Sequence, residues 1–306
     1  MTLEPCCHHG KQPPCTEALI ERAVKRVVIG SRDPNPLVAG KGVKLLRDAG
    51  IEVVEDVLRD ECDAINPVFF KYITTKQPYV VLKYAMTMDG KIATVTGASK
   101  WITGEESRNK VQYLRHKYMV IMAGIGTVLA DDPMMNVRVD GLKSPVRVIA
   151  DSHLRIPLDS NIVKTAGEYR TIVVHCMPDT DGVGDHEQVS QAGKAAELKK
   201  AGIELVRTPS VNGHVDVAYL MKYLGEAGID SVLVEGGGTL NDSIIRAGLV
   251  DRVEVFIAPK IFGGQDAKSP VAGIGINEVD QASKFKLFEV AHYGDDIQLS
   301  YIEAEE

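Results

Sequence analysis

The stretch Ser231-Val232-Leu233-Val234-Glu235-Gly236-Gly237-Gly238-Thr239-Leu240 carries a short apolar run into three glycines and then into a helical pattern over 240–247. Such a run, bounded by glycine, reads as a strand buried in a sheet with helices on both faces. Three glycines between strand and helix let a bound group approach the backbone closely, and they predict a phosphate cradle, since a plain turn needs only one. No Gly-Lys-Ser/Thr follows, so this is not the loop of a nucleotide hydrolase. Glu235 stands at the carboxyl end of the strand, where open α/β sheets bind ligands.

The same alternation extends outward in both directions. Strands are expected over 79–84, 119–123, 146–150, 171–175, 204–207 and 252–258, and helices over 105–117, 192–201 and 215–227. Strand–helix alternation argues for an α/β fold with a mainly parallel sheet. The end differs: 285–292 and 297–302 read as strands around Tyr293-Gly294-Asp295-Asp296, an antiparallel hairpin. Upstream, 27–29 and 51–54 read as strands with a helix near 42–49, and 56–75 reads as mostly helical. The polar stretch Thr74-Thr75-Lys76-Gln77-Pro78 closes on proline and marks a domain boundary. The reading is two domains, 1–76 and 77–306, each long enough to bury a core.

Composition is 44% hydrophobic and 25% charged, with a net charge of -7. An acidic balance argues against nucleic-acid binding driven by bulk charge, and an anionic small substrate needs a local cluster of Arg and Lys. The five cysteines crowd the N-terminus or stand alone, which suits a reducing compartment rather than a disulfide framework. No leader and no apolar run of membrane-spanning length is seen, and the expectation is a cytoplasmic protein with no membrane partner.

Near the start, Cys6 follows Pro5, Cys15 follows Pro14, and a helical run opens at Thr16. Zinc-dependent nucleobase deaminases place cysteine ligands in this way, where the helix dipole favours the thiolate. Such sites also need an upstream His-x-Glu, with His as ligand and Glu as proton carrier. No such segment precedes Cys6, so Cys6 and Cys15 read as remnant zinc ligands, and His8 or His9 as poor substitutes for the missing shell.

Further along, Lys83 ends an apolar strand and should face a polar site or snorkel at an edge. In Ser99-Lys100-Trp101-Ile102-Thr103-Gly104-Glu105-Glu106, Thr103 reads as a helix N-cap with Glu106 completing a capping box. Trp101 then reads as an aromatic packed beside that helix. Arg108 and Arg115 ride on the helix, and one of them is expected to face an anion. Gly124-Ile125-Gly126-Thr127 joins a strand to a helix and brings N–H groups toward a phosphate or ribose. Leu129 stands where a dinucleotide fingerprint would have its third glycine.

Taken in order, these motifs resemble the bifunctional pyrimidine deaminase–reductase family of riboflavin biosynthesis. The deaminase half is carried by Thr2-Leu3-Glu4-Pro5-Cys6, Pro13-Pro14-Cys15, Asp33-Pro34-Asn35-Pro36 and Gly40-Lys41-Gly42. The reductase half is carried by Met88-Asp89-Gly90-Lys91-Ile92-Ala93, the Ser99–Thr103 run, Gly126-Thr127-Val128-Leu129-Ala130-Asp131-Asp132-Pro133 and Glu235-Gly236-Gly237. The resemblance implies an incomplete, cytidine-deaminase-like first domain. It implies a dihydrofolate-reductase-like second domain that uses NADPH to reduce the ribose of 5-amino-6-(5-phosphoribosylamino)uracil. Ala85, Trp101, Thr127, Asp131, Ser152 and Gly237, Gly238, Thr239, Leu240, Asn241, Asp242 and Ser243 would hold NADPH. Ser99, Arg115, Met135, Arg138 and Glu235 would hold the phosphorylated pyrimidine substrate, with Arg115 and Arg138 offering forked donors to its phosphate. Lys83, Asp131 and Glu235 would handle polarisation and protons, and Glu235→Ala is expected to reduce turnover far more than folding.

The family's zinc and its deamination of the earlier pyrimidine intermediate are expected to be lost here with the His-x-Glu segment. The family has Val where Met1 stands, so the start reads as a valine-type codon taken for an initiator, or as that of a fragment. An exposed strand edge in 1–75 would follow from such a loss. Homodimers or higher homo-oligomers are expected from the resemblance. Three alternatives stay open: a pteridine or folate reductase, a nucleotide-binding domain without turnover, and a deaminase completed by another chain.

Overall fold

Valine, isoleucine and leucine decide where the strands lie, because β-branched and large apolar side chains fill a pleated surface covered on both sides. The computed structural model describes residues 1–10, 12–177 and 186–304, with the side chains of 186–191 excepted. It divides into Met1–Pro78 and Tyr79–Glu306.

In the first unit the order is α1 (Cys15–Glu21), β1 (Arg26–Val28), α2 (Lys41–Asp48), β2 (Glu52–Val54), α3 (Arg59–Ile65) and α4 (Pro67–Thr75). The helical stretch expected over 56–75 is two helices, broken at Asn66–Pro67 where proline starts the second. Strands β1 and β2 pair in parallel, and Val27, Ile29, Val43, Leu46 and Ile51 form the core beneath them. The buried Glu4 carboxylate accepts hydrogen bonds from Gly40 N at 3.0 Å and Val43 N at 3.3 Å. It thereby satisfies free donors at the start of α2, where a negative charge is favoured. A Cβ on Gly42 would lie 2.0 Å from the Pro5 carbonyl oxygen. Glu4-Pro5 and Gly40–Gly42, read from sequence as two site signatures, here lock against one another.

The second unit runs β3 (Tyr79–Thr87), α5 (Glu105–Lys117), β4 (Val120–Gly124), α6 (Ile125–Asp131), β5 (Val146–Ala150), α7 (Asn161–Lys164), β6 (Thr171–His175), α8 (His186–Lys200) and β7 (Glu204–Arg207). It continues with the small pair β8 (Ser210–Val211) and β9 (His214–Val215), then α9 (Val217–Glu226), β10 (Ser231–Val234), α10 (Gly238–Arg246), β11 (Arg252–Ala258), β12 (Phe285–Tyr293) and β13 (Asp296–Glu303). Among the described residues one large sheet has the order β12-β13-β11-β3-β10-β4-β5-β6-β7. From β11 to β7 every pairing is parallel. The hairpin β12–β13 joins antiparallel beside β11. This is the mainly parallel α/β fold with a C-terminal antiparallel hairpin that the sequence predicts. Strand β10 sits between β3 and β4, so the chain leaves the centre of the sheet in both directions. The loops at the carboxyl ends of these strands therefore part, and they leave a crevice.

Sequence reading missed Arg147. It lies on β5 with no exposed surface and donates to the carbonyls of Met134, Ile162 and Tyr169 and to the hydroxyls of Thr165 and Thr171. Among the described residues no carboxylate pairs with it. Burial lowers its guanidinium to about 10, which leaves it charged at neutral pH. Carbonyl oxygens and hydroxyls thus take the place of water around a buried cation, and they hold the loop at Met134 against the sheet.

The start of α5 corrects another expectation. Its N-cap is Gly104 and no capping side chain comes from Thr103. Instead Asp296, buried at the start of β13, accepts from Gly104 N at 2.7 Å and from Ser107 Oγ at 2.6 Å. A carboxylate at a helix start is favoured by the dipole and by the free N–H groups. Asp296→Ala should lower stability by about 1–3 kcal/mol, read from urea unfolding. Thr103→Val, which a capping box would make costly, should stay within about 0.5 kcal/mol. The reverse order would refute the long-range cap.

Candidate active site

Glu235 follows the last residue of β10, and its N–H donates to Met122 O at 2.8 Å, so its backbone belongs to the sheet rather than to a mobile loop. Arg115, in the last turn of α5, reaches it with two parallel bonds, Nε to Oε1 at 2.7 Å and Nη2 to Oε2 at 2.9 Å. Its Nη1 donates to Asn136 O at 3.1 Å. Lys83 on β3 places Nζ 3.6 Å from Oε2. The three side chains are only 12–17% exposed. One carboxylate is thus shared by two cations in a partly dehydrated place, where charges interact more strongly than in water.

Protonation follows from this arrangement. Burial works against the charge of Glu235, yet Arg115 and Lys83 outweigh it and hold the carboxyl down at about 2. Glu235 is therefore an anion throughout the neutral range and suits polarisation rather than proton donation. Burial pushes the Lys83 ammonium below the ordinary lysine value; Glu235 works to restore it and Arg115 lowers it further. Lys83 is accordingly the better proton donor of the two. Three of the five N–H donors of Arg115 are committed to Glu235 and Asn136, so it can offer a phosphate only the remaining two.

Two cavities meet beside this cluster. One, of about 350 Å³, is lined by Arg115, Glu235, Trp101, Met135, Asn136 and Arg138, with Ile121 and Ala123 from β4. The other, of about 660 Å³, is lined by Gly124, Gly126, Ser152, Gly237, Gly238, Thr239, Leu240 and Ser243 among others. Thr127 and Asp131 belong to both walls. Ser99 Oγ donates to Asp131 Oδ1 at 3.1 Å and Lys100 Nζ to Asp131 O at 3.3 Å, which ties the 99–101 segment over the junction. Lys260 Nζ holds the same segment from the other side, at 2.9 Å from Trp101 O and 2.6 Å from Ile102 O. Trp101 is not the packed aromatic expected: it is 58% exposed, with the Arg108 guanidinium 4.7 Å from its ring centroid. Arg138 is exposed, and its backbone N–H is fixed to Gln112 Oε1 at 2.9 Å.

The triple glycine divides its labour. A Cβ on Gly236 would lie 2.9 Å from Asn241 Oδ1 and from Leu240 Cδ2. One on Gly238 would lie 2.9 Å from Ala272 Cβ. Only Gly237 looks across open space, toward Thr127 Oγ1. Two of the three glycines are thus required by close packing of the chain on itself. A bound group would meet Gly237 and, opposite, Gly126, whose Cβ position is also open. That open glycine wall and the volume of the larger cavity fit a dinucleotide.

The residues expected to bind fall into two sets. Ser99, Trp101, Arg115, Thr127, Asp131, Met135, Arg138, Ser152, Glu235, Gly237, Gly238, Thr239, Leu240 and Ser243 line the joined cavities. Asn241 does not: it has no exposed surface, and its Nδ2 donates to Pro270 O at 2.7 Å, which pins the 268–272 segment to α10. Asp242 pairs with Arg246 at 3.0 Å. Ala85 lies on β3 away from both walls, and Lys83 stands behind Glu235. In the first unit Cys15 N donates to Cys6 Sγ at 3.3 Å. The Cys15 thiol is raised above its ordinary value by its hydrogen bond with Cys6 and by burial, opposite to the thiolate expected from the helix dipole. His9 pairs with Glu17 at 3.1 Å, and among the described residues no three metal-ligating side chains converge. Two sulfurs do not make a closed tetrahedral shell, so the residues present do not fit a zinc site.

The shared carboxylate bears on stability as well as on turnover, since its loss leaves two buried cations unbalanced. Glu235→Gln should cost roughly 3 kcal/mol at pH 7. The folded carboxyl lies near 2, below its ordinary 4.5. The stability it supplies is therefore complete above about 4.5 and fades as pH falls toward 2. Urea unfolding at pH 7 and pH 3 should show the gap between wild type and variant shrink; a constant gap would refute the charge-sharing account.

Comparison with known proteins follows this geometry. The chain matches the RibD C-terminal domain family over residues 78–299. It is 52% identical over 302 residues to the riboflavin biosynthesis protein RibD of Actinobacillus pleuropneumoniae, covering 99% of this chain and 77% of that one. A solved structure from Thermotoga maritima, described as a diaminohydroxyphosphoribosylaminopyrimidine deaminase/5-amino-6-(5-phosphoribosylamino)uracil reductase, superposes with a TM-score of 0.81 at 35% identity, over 99% of this chain and 78% of that one. Acinetobacter baumannii RibD gives 0.79 at 34% identity, over 99% and 79%. With a family match over residues 78–299 and 52% identity to a relative over 99% of its own length, this chain belongs to the RibD family of riboflavin biosynthesis proteins.

Proposed function

We propose that this chain is an NADPH-dependent reductase that converts the ribose of 5-amino-6-(5-phosphoribosylamino)uracil into a ribityl chain. The observation that carries the reading is the pairing of the two cavities. A larger glycine-walled one, suited to a dinucleotide, joins a smaller one walled by Arg115, Glu235 and the exposed Arg138, with Lys83 buried behind Glu235. The Thermotoga and Actinobacillus relatives, alike over nearly the whole of this chain, support it through the activity and pathway in their names.

When bound, NADPH supplies a hydride to C1′ of the opened sugar. The protein's part is to position and to move a proton. Arg138, whose guanidinium pairs with no carboxylate among the described residues and whose backbone is fixed by Gln112, takes the ribose phosphate; a phosphate-free pteridine would leave it unused. Glu235 stays ionised and orients Lys83, whose lowered affinity for its proton suits it to protonate the ring oxygen or nitrogen as the sugar opens. Asp131, clamped by Ser99 and Lys100, closes the segment over the junction and keeps water out. Two copies are proposed to pair through β12, an edge strand on which Leu287, Phe288 and Val290 are about half exposed, an apolar edge that isolated chains usually cover.

Lys83→Met should lower kcat by about 10²–10⁴-fold while NADPH still binds, and the alkaline limb of the wild-type rate should lie below the ordinary lysine value. Arg138→Ala should raise KM for the phosphorylated substrate at least about tenfold with kcat nearly kept. NADPH oxidation followed at 340 nm checks both. Full turnover in the Lys83 variant would refute its role, and absence of substrate-dependent oxidation in the wild type would refute the function.

A further inference from the structure

The segment 99–103 crosses the junction of the two cavities, and three of its carbonyls in a row are bound to cations. Trp101 O and Ile102 O both accept from Lys260 Nζ, at 2.9 and 2.6 Å. Thr103 O accepts from Arg108 Nη1 at 2.7 Å. Among the described residues neither Lys260 nor Arg108 pairs with a carboxylate. Holding a long cationic side chain in one geometry costs rotamer entropy. Charge-assisted bonds to successive carbonyls offset that loss and fix the chain in one path.

Lys260 is itself held. Its N–H donates to Ala258 O at 2.8 Å and its carbonyl accepts from Met88 N at 2.9 Å, just past the paired ends of β11 and β3. Asp89 then takes the N–H groups of Phe262 and Gly263 at 3.2 and 2.7 Å. The sheet therefore presents the ammonium to the segment.

Trp101 is the residue that depends on this support. Ile102 and Thr103 are buried, and packing orients them; the Trp101 side chain is largely exposed, so packing does not. Its backbone is set by Lys260, and its ring lies beside the Arg108 guanidinium that also holds Thr103 O. The indole lines the smaller cavity with Arg138 and Glu235, and not the larger, glycine-walled one. A flat aromatic there offers a stacking surface to a planar heterocycle. Neither Lys260 nor Arg108 lines that cavity.

We propose that Lys260 and Arg108 are positioning residues for the pyrimidine substrate, which hold the Trp101 indole as a platform for its ring. This rests on the reductase reading above, and it assigns Trp101 to the pyrimidine rather than to the dinucleotide.

Trp101 is the only tryptophan of the chain, so its emission reports on this one position. In the full chain, Lys260→Met and Arg108→Met should each lower the fluorescence anisotropy of the indole. Each should raise KM for the pyrimidine substrate about tenfold and change kcat less than about threefold, since Lys83 and Glu235 are untouched. KM for NADPH should stay within about twofold of wild type. Lys260→Arg should restore most of the loss. Trp101→Ala should raise the same KM, and adding Lys260→Met to it should have no further effect, because residues that act through one another are not additive. Losses that add, a rise in KM for NADPH instead, or a fall in anisotropy with unchanged KM would overturn the proposal. If that happens while the wild type oxidises NADPH with the pyrimidine, the reductase reading stands and only this inference falls. If the wild type shows no such oxidation, both fall.

Discussion

One carboxylate shared by two buried cations governs the centre of this molecule. Lys83, Arg115 and Glu235 come from β3, α5 and β10, and none of the three could be buried alone without a large loss of hydration. Their mutual compensation fixes α5 against the middle of β3 and the carboxyl end of β10, and through Asn136 it also fixes the loop that floors the smaller cavity. Fold and chemistry are therefore not separable here. The interaction that keeps Glu235 ionised also tunes Lys83, and the surplus of positive charge suits an anionic substrate despite an acidic chain.

A second buried cation performs a comparable task with different partners. Arg147 has no carboxylate beside it among the described residues and is solvated by carbonyls and hydroxyls. Its bonds run to Thr171 on the paired strand β6 and to Met134, Ile162, Thr165 and Tyr169, which lie outside the sheet. The contrast is instructive. A cation matched by a carboxylate can be tuned for proton transfer; one matched by carbonyls has a single protonation state at neutral pH and serves as a fastener.

Much of the sheet was legible in the sequence because its strands are short, apolar and bounded by glycine or polar residues, and β8–β9 was missed because two-residue strands carry no period. Local pattern failed where the partner is remote. Thr103 looked like a cap, yet the carboxylate that caps α5 is Asp296, which no local window can reveal. Arg115 and Arg138 looked equivalent, and only the fold shows that one is largely committed to Glu235 and Asn136 while the other pairs with no carboxylate among the described residues. The glycine run pointed to the right place, but for mixed reasons, since Gly236 and Gly238 answer to Asn241, Leu240 and Ala272.

The position of β10 has a bearing on how the molecule is made. This strand enters the sheet between β3 and β4 although about 150 residues of chain separate it from β3, and closing so long an intervening segment is slow relative to local pairing. During synthesis the two neighbours of β10 must wait with unsatisfied edges until residue 234 has left the ribosome. Insertion of that strand also delivers Glu235 to its two cations, so the charge cluster and the central sheet are completed in one event.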